Sequence, residues 1–240
     1  MLFTDLLNVR CFVVNMDRSA DRLGVTLERI KNAGFTNVER FKAVDATVDS
    51  LEDNWAIHGN PKKNITDREF FEYKGKQGCM LSHLNLYKKI IQEEIPLTIV
   101  FEDDVQFHKN WQTLAPIYWN ATPKDWDLLY MGSQIDFMMD GHILMTPVFC
   151  THAYIITLDG AKKIYDFLIN NENGVSTIDC MLIDHMKDVV FRNKKPIFKW
   201  YAWNGTMFVD TDAIMDKGWT KRNTGLIFQD ESFGSFVRPW

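Results

Sequence analysis

The chain has 240 residues, of which 46% are hydrophobic and 25% charged, and its formal net charge is −5. These values are typical of a globular protein that buries its core without disulfide bonds, and they exclude a disordered or collagen-like chain. The acidic balance argues against nonspecific binding of nucleic acid, which needs a basic face. It still allows a phosphate ligand held by a few local cations or by a metal.

The sequence carries no sign of export or of membrane insertion. Asp5 and Arg10 interrupt the first apolar stretch, which also lacks a basic leader, so no signal peptide is predicted. Because no apolar run reaches the ~18 residues of a membrane-spanning helix, we expect a soluble, cytoplasmic protein. The cysteines form no C-x-x-C pair and are expected to be buried, reduced thiols at Cys11, Cys79, Cys150 and Cys180.

Strand and helix patterns alternate from the N-terminus. Residues 11–15 and 38–45 are predicted strands, and the helix between them is expected to begin at a cap supplied by Asp17 or Ser19. Residues 46–75 are polar and weakly periodic, which indicates a long excursion with short helices. This order is typical of the start of an α/β sheet.

The same alternation continues to the tail. An amphipathic helix over 79–94 is followed by predicted strands at 97–101, 126–132 and 152–157, by helices at 159–170 and 177–188, and by strand candidates at 197–202 and 206–209. We therefore expect one α/β domain with a largely parallel sheet flanked by helices. Ligands of such sheets bind beyond the carboxyl ends of the strands.

Three carboxylates, Glu102, Asp103 and Asp104, follow the predicted strand 97–101. Like charges crowded together are unfavourable unless a cation joins them, and carboxylate oxygens suit Mg²⁺ or Mn²⁺. In an extended chain the side chains of Glu102 and Asp104 point to one side and that of Asp103 to the other. Glu102 and Asp104 are therefore the predicted metal ligands. An acidic solvated turn explains the motif alone equally well.

Other polar residues follow predicted strands or begin predicted helices. Asn15 and Arg18 follow the first strand, where a helix N-terminus and an arginine suit phosphate, although a surface Arg–Asp network is the alternative. Ser82 and His83 are expected in the first turn of a helix preceded by the glycines of residues 75–78, which allow a ligand to approach the backbone. A structural histidine is the simpler interpretation of His83.

Acidic residues also occur at two further places in the sequence. Asp179 begins the helix predicted at 177–188, either as a capping acid or as a general base. The pair Asp210 and Asp212 is better interpreted as a turn than as part of a metal site. The sequence has no P-loop, no G-x-G-x-x-G and no G-x-S-x-G motif, so neither a dinucleotide site nor a serine hydrolase is indicated.

Taken together, these segments resemble glycosyltransferase family 25, which includes bacterial lipooligosaccharide galactosyltransferases and collagen hydroxylysine galactosyltransferases. Single segments are weak signals, but seven in the family's order are specific. They are VVNMDRSADR (13–22), RFKAVDA (40–46), GKQGCMLSH (75–83), IVFEDDV (99–105), WDLLYMG (126–132), AYIITLDGAKKI (153–164) and STID (176–179).

The resemblance implies a GT-A fold, a UDP-sugar donor and a divalent metal, usually Mn²⁺. It places the metal motif of such enzymes at residues 102–104, matches Asn15, Arg18 and Asp45 to the nucleotide site, and matches Asp179 to the catalytic base. The predicted nucleotide-sugar site comprises Asn15, Arg18, Asp45, Ser82, His83 and Asp103, and the predicted metal ligands are Glu102 and Asp104. The family usually has Gly-Glu-x-Gly where residues 75–78 are Gly-Lys-Gln-Gly, which points to a different donor or acceptor preference.

The expected activity is metal-dependent, inverting transfer of galactose or glucose from a UDP-sugar to a hydroxyl of a glycan or of hydroxylysine in a collagen-like chain. The alternatives are an inactive, transferase-like carbohydrate-binding module and a metal-dependent hydrolase. Residues 1–240 are expected to form one domain, with a nucleotide-binding part at 9–135 and an acceptor part at 136–240. A bacterial or viral intracellular enzyme, forming a homodimer, is expected, with an acceptor wall built from residues 46–75 or from Trp200, Trp203 and Trp219.

Overall fold

The computed structural model describes residues 1–49, 67–135, 140–170, 177–205 and 222–233. The helices are α1 (Phe3–Leu6), α2 (Ala20–Asn32), α3 (Asp67–Gln92), α4 (Trp111–Ala121), α5 (Leu158–Ile169) and α6 (Ile178–Arg192). The strands are β1 (Cys11–Asn15), β2 (Val38–Lys42), β3 (Leu97–Glu102), β4 (Val105–Phe107), β5 (Leu128–Ile135), β6 (Ile143–Leu144), β7 (Phe149–Thr157), β8 (Trp200–Trp203), β9 (Arg222–Gly225) and β10 (Ile227–Gln229).

The central sheet has the order β2-β1-β3-β7-β5-β8-β6, with β9 paired to β5, and β4 and β10 form a separate small sheet. β1 is parallel to β2 and β3, and β5 is parallel to β8. β7 is antiparallel to both of its neighbours, β3 and β5. Most strands of the central sheet therefore share one direction, which confirms the predicted α/β class with a mixed, mostly parallel sheet. Strands from both halves of the chain enter this sheet, so they form one domain.

Side chains alternate between the two faces of the sheet and build a core on each. In β1, Phe12 and Val14 join one core while Cys11 and Val13 join the other. Helices α3, α5 and α6 cover the first face, and α1, α2 and α4 cover the second. Because both faces are covered, the central strands are continuous apolar runs, which is why the strand at 11–15 was predictable from sequence.

Helix α3 corrects the predictions for the region before residue 79. It begins at Asp67, so residues 67–75 are helical, and the glycines of residues 75–78 lie inside the helix rather than before it. The reason is packing: a Cβ on Gly78 would lie 2.7 Å from the carbonyl oxygen of Val44. Glycine lets the helix cross the loop after β2 at this distance, and that packing outweighs the poor helix propensity of glycine.

The predicted cap of α2 is confirmed in position only, because Ser19 is its N-cap residue but makes no side-chain cap bond. Neither Asp17 nor Ser19 makes a side-chain cap bond in the described part of the chain. Asp17 pairs instead with Arg40 and Lys42 of β2. The two basic side chains compete successfully for this carboxylate, and they lower the pKa of Asp17 through hydrogen bonds.

The C-terminal part of the chain contributes a strand, β8, to the core rather than an exposed acceptor-binding surface. Trp200 and Trp203 are fully buried because β8 lies within the sheet between β5 and β6, so they form no acceptor wall. Trp219, Asp210, Asp212 and the strand candidate at 206–209 lie outside the described residues. Among the helices that the structure describes, none is both long and apolar enough to cross a membrane.

Candidate active site

The carboxyl ends of β1, β2 and β3 meet at one edge of the sheet. The strands are parallel, with Val14 beside Glu102 and Asn15 beside Lys42. Antiparallel β7 brings its first half to the same edge, where Ala153 lies beside Phe101 of β3. The predicted site residues at the ends of these strands are therefore neighbours in the fold, as expected for an α/β sheet.

Asp103 is bound by residues of β1 and α2. Asn15 Nδ2 donates hydrogen bonds to Asp103 Oδ2 over 2.7 Å and to the carbonyl of Ser19 over 2.8 Å. Arg22 Nη1 lies 3.5 Å from Asp103 Oδ1, and Thr26 Oγ1 donates to the Asp103 carbonyl over 2.7 Å. Burial raises the pKa of Asp103, against the opposing effects of Asn15 and Arg22. These bonds fix the turn that follows β3.

Glu102 points toward α3 and β7. Its Oε1 accepts a hydrogen bond from Thr151 Oγ1 over 3.0 Å and lies 3.4 Å from His83 Nε2. The ring of His83 is fully buried, and its Nδ1 lies 2.8 Å from the hydroxyl of Tyr154. Burial acts to raise the pKa of Glu102, but the His83 hydrogen bond and nearby histidine charge outweigh it, so the pKa falls below its ordinary value. His83 and Thr151 therefore hold the Glu102 carboxylate between α3 and β7.

Asp104 carries a buried carboxylate oxygen, Oδ1, that has no hydrogen-bond partner among the described residues. Its Oδ2 accepts from Gln229 Nε2 over 3.3 Å, and its carbonyl accepts from the Asp230 amide over 2.6 Å. Burial, together with the charges of Glu102 and Asp103, raises the pKa of Asp104 well above its ordinary value.

An unsatisfied buried acceptor such as Asp104 Oδ1 costs about 1–3 kcal/mol unless a ligand approaches it. The neighbouring acid, Glu102, supplies further oxygen atoms of the same chemical kind at the same turn. Carboxylate oxygens are the ligands that Mn²⁺ and Mg²⁺ prefer. The residues present therefore fit the metal that the resemblance implies.

Arg18 and Asp45 join the loops that follow β1 and β2. Arg18 Nη1 lies 2.8 Å from Asp45 Oδ2. Ser82 holds the second of these loops against α3, because its Oγ donates to the Gly78 carbonyl over 2.6 Å and accepts from the Val44 amide over 2.9 Å. Ser82 and His83 are in the interior of α3, not in its first turn as predicted.

Asp179 lies in the first turn of α6, where its Oδ1 accepts a hydrogen bond from the Cys180 amide over 2.8 Å. After burial, the negative charge of Asp179 contributes to the raised pKa of both Cys79 and Tyr130. The charges of Glu102 and Asp104 act on the Cys79 thiol as well. Cys79 therefore lies among three of the acids that the sequence selected.

At this edge the sequence predicted His83 as a site residue but did not select Cys79, Thr151 or Gln229. Cys79 and His83 are four residues apart on a helix and so share a face, a spacing that was available in the sequence. Thr151 gave no such signal because it reaches Glu102 only through the antiparallel insertion of β7. Gln229 reaches Asp104 only through the pairing of β10 with β4.

The prediction that every cysteine is buried holds for Cys11 alone. Cys79 and Cys150 are half-buried, and Cys180 is exposed at the beginning of α6. All are free thiols, as expected. The buried residues of α6 include Ile178, Met181, Leu182 and Met186, so Cys180 lies on the opposite face, and the sequence already contained this helical period.

The chain belongs to glycosyltransferase family 25. The family model, described as glycosyltransferase family 25 (LPS biosynthesis protein), matches residues 8–144. This range includes β1 to β6 and the acidic turn after β3. The family that the sequence resembles is therefore confirmed.

Curated relatives carry related names. Procollagen galactosyltransferase 1-A of Xenopus laevis is 28% identical over 205 residues, covering 78% of this chain and 31% of that protein. Procollagen galactosyltransferase 2 of Homo sapiens is 29% identical over 137 residues, covering 52% of this chain and 20% of that protein. Probable inactive glycosyltransferase 25 family member 3 of Bos taurus is 30% identical over 104 residues, covering 38% of this chain and 17% of that protein. The chain thus spans less than a third of the length of these relatives.

Proposed function

We propose that the chain is a GT-A-type transferase that moves galactose or glucose from a UDP-sugar to a hydroxyl of a glycan or of hydroxylysine, with inversion and with Mn²⁺ or Mg²⁺. The observation that carries this proposal is the buried Oδ1 of Asp104, next to Glu102 in sequence, which has no hydrogen-bond partner among the residues that the structure describes. Family membership supports sugar transfer, and the names of the procollagen galactosyltransferases support galactose and a collagen-like acceptor. A homodimer and a cytoplasmic location stay predictions.

In this proposal Asp104 and Glu102 hold the cation. When bound, a divalent cation neutralises the diphosphate and the charge that develops on departing UDP. The acceptor oxygen forms a bond to the anomeric carbon while the bond from that carbon to the diphosphate breaks. Asp179 accepts the proton of the acceptor hydroxyl on its carboxylate. Arg18 and Asp45 border the nucleotide at the ends of β1 and β2.

Asn15 and Asp103 have a positioning role in the same proposal. Their side chains are bonded to each other, and Asp103 is further bound by Arg22 and Thr26. These bonds hold the turn so that Asp104 keeps its place. Direct contact between Asn15 or Asp103 and the nucleotide stays a prediction.

The proposal is tested by replacing Asp104 with asparagine. The variant Asp104→Asn removes the charge that would hold the metal but keeps the shape of the side chain, so Mn²⁺-dependent transfer from UDP-galactose should fall roughly 100-fold or more. The control is Asp184→Asn, the same substitution at an exposed position of α6. Turnover is measured with and without Mn²⁺, beside the melting temperature. Unchanged turnover in a folded Asp104→Asn protein contradicts the assignment.

A non-catalytic carbohydrate-binding module is the second candidate, because one relative is named a probable inactive family member. The two candidates differ in a simple assay. A transferase slowly hydrolyses its UDP-sugar when the acceptor is absent, whereas a binding module does not. Binding of UDP-sugars or glycans without any hydrolysis or transfer, across a panel of donors and acceptors, would favour the module.

A further inference from the structure

The side chains of Cys79, His83 and Glu102 bring a sulfur, a nitrogen and an oxygen atom within 4.8 Å of one another. Cys79 and His83 lie one turn apart on one face of α3, and Glu102 ends β3. Thiolate and imidazole are the ligands that Zn²⁺ prefers, and carboxylate completes many such sites. We propose that these three side chains bind a soft divalent cation such as Zn²⁺.

The surrounding residues orient the ligand atoms. His83 Nδ1 lies 2.8 Å from the hydroxyl of Tyr154, which leaves Nε2 facing Glu102. Metal-bound histidines commonly use their second nitrogen in this way. Thr151 donates to Glu102 over 3.0 Å and also hydrogen-bonds Cys79. The cluster therefore has both the ligands and the outer contacts of a metal site.

The charge around Cys79 favours a cation. The acidic residues Glu102, Asp179 and Asp104 act electrostatically on the Cys79 thiol, and their negative charge attracts a cation to it. When the cation binds, the thiol proton leaves to solvent, a sulfur–metal bond forms, and nothing is oxidised. The positive charge of the ion then offsets the negative charge that the neighbouring acids impose on the sulfur.

This site differs from the proposed Mn²⁺ site in its chemistry. Glu102 and Asp104 offer only oxygen atoms, which suit a hard cation, whereas Cys79 and His83 select a softer one. Glu102 belongs to both sets of ligands. If the proposed transferase function is correct, an ion bound to Cys79 withdraws Glu102 from the Mn²⁺ site and inhibits transfer.

Binding is tested with Cd²⁺ and Zn²⁺ on the full chain in the absence of Mn²⁺. Cd²⁺ should produce the ultraviolet charge-transfer absorption of a cadmium thiolate, and Cys79→Ser should abolish it. The matched control is Cys180→Ser, which removes an exposed cysteine and should leave the absorption in place. Equal absorption in wild type and Cys79→Ser overturns the proposal.

A second measurement uses the wild-type protein, so it does not depend on whether a variant folds. Alkylation followed by mass spectrometry should show that Zn²⁺ protects Cys79 but leaves Cys180 reactive.

Thr151→Val should weaken Zn²⁺ binding by roughly 10- to 100-fold, since it removes an outer contact of two ligands. Absence of selective protection at Cys79, or unchanged affinity in Thr151→Val, counts against the site.

The inhibition that follows from the shared ligand is measured as the ratio of transfer with and without Zn²⁺. The ratio should be low in wild type and near unity in Cys79→Ser. A chain that binds Cd²⁺ through Cys79 but transfers no sugar refutes the transferase proposal and leaves the soft-cation site standing. Transfer that Zn²⁺ does not inhibit, together with no Cd²⁺ absorption, refutes the site alone.

Discussion

Substitution of Gly78 tests how closely α3 packs against the loop that follows β2. In Gly78→Ala the new Cβ lies 2.7 Å from the Val44 carbonyl oxygen and 3.4 Å from the Ala46 amide nitrogen, so backbone must move. Overpacking of this kind costs about 1–3 kcal/mol, and losing the hydrogen bond from the Val44 amide to Ser82 adds about 1 kcal/mol. Alanine regains about 1 kcal/mol of helix propensity. We expect a net loss of about 1–3 kcal/mol.

The matched control is Gly24→Ala in α2, because a Cβ at Gly24 meets nothing within 4 Å. There only the propensity gain applies, so the same substitution should stabilise the protein by up to about 1 kcal/mol. In thermal unfolding, Gly78→Ala should lower the melting temperature by roughly 2–12 °C and Gly24→Ala should raise it by roughly 2–4 °C. If Gly78→Ala raises the melting temperature as Gly24→Ala does, the close approach of α3 to the loop after β2 is refuted.

Three other substitutions test separate parts of the structure. Asp179→Asn should retain UDP affinity but lose turnover roughly 100-fold or more, relative to Asp184→Asn, and loss of UDP binding would mean that its role is misassigned. Gly132→Ala places a Cβ 1.9 Å from the Ile227 carbonyl oxygen and should cost about 3 kcal/mol or more in urea unfolding; a wild-type midpoint would contradict the pairing of β5 with the tail. Burial raises the pKa of Cys11, so above pH ~9 only the unfolded state loses this proton. The free energy of unfolding of wild type relative to Cys11→Ala should therefore fall by about 1.4 kcal/mol per pH unit. Free energies of unfolding that change equally with pH in the two proteins would contradict this expectation.

The strands that sequence predicted best are those buried on both faces. β1 matches the predicted range 11–15, and β3 extends the predicted range 97–101 by a single residue, because burial on both faces demands an uninterrupted apolar run. β4, β6, β9 and β10 were not predicted. They are two to four residues long, and such segments show no periodicity that distinguishes them from loops.

Within the candidate site, the position of the acidic turn could be predicted from the sequence, but the hydrogen bonds of its side chains could not. Three successive carboxylates after an apolar run mark a place where charge must be compensated, whatever the partners are. Asn15 and Asp103 are 88 positions apart, and nothing local to either residue indicates that their side chains meet. The same holds for Thr151 and Glu102, which are 49 positions apart and meet through a strand whose antiparallel direction the sequence did not reveal.

The three successive acids end in three different environments, and this difference separates stability from function at the turn. Asp103 is satisfied by Asn15 and Arg22, so removing its charge leaves a buried guanidinium without its carboxylate and weakens the fold. Glu102 is hydrogen-bonded by Thr151 and lies beside His83, so its position is set by α3 and β7. Asp104 alone keeps a buried oxygen without a partner among the described residues, so its ionised form is costly until a cation arrives. This difference supports the proposal that a metal binds at Asp104 rather than at Asp103 beside it.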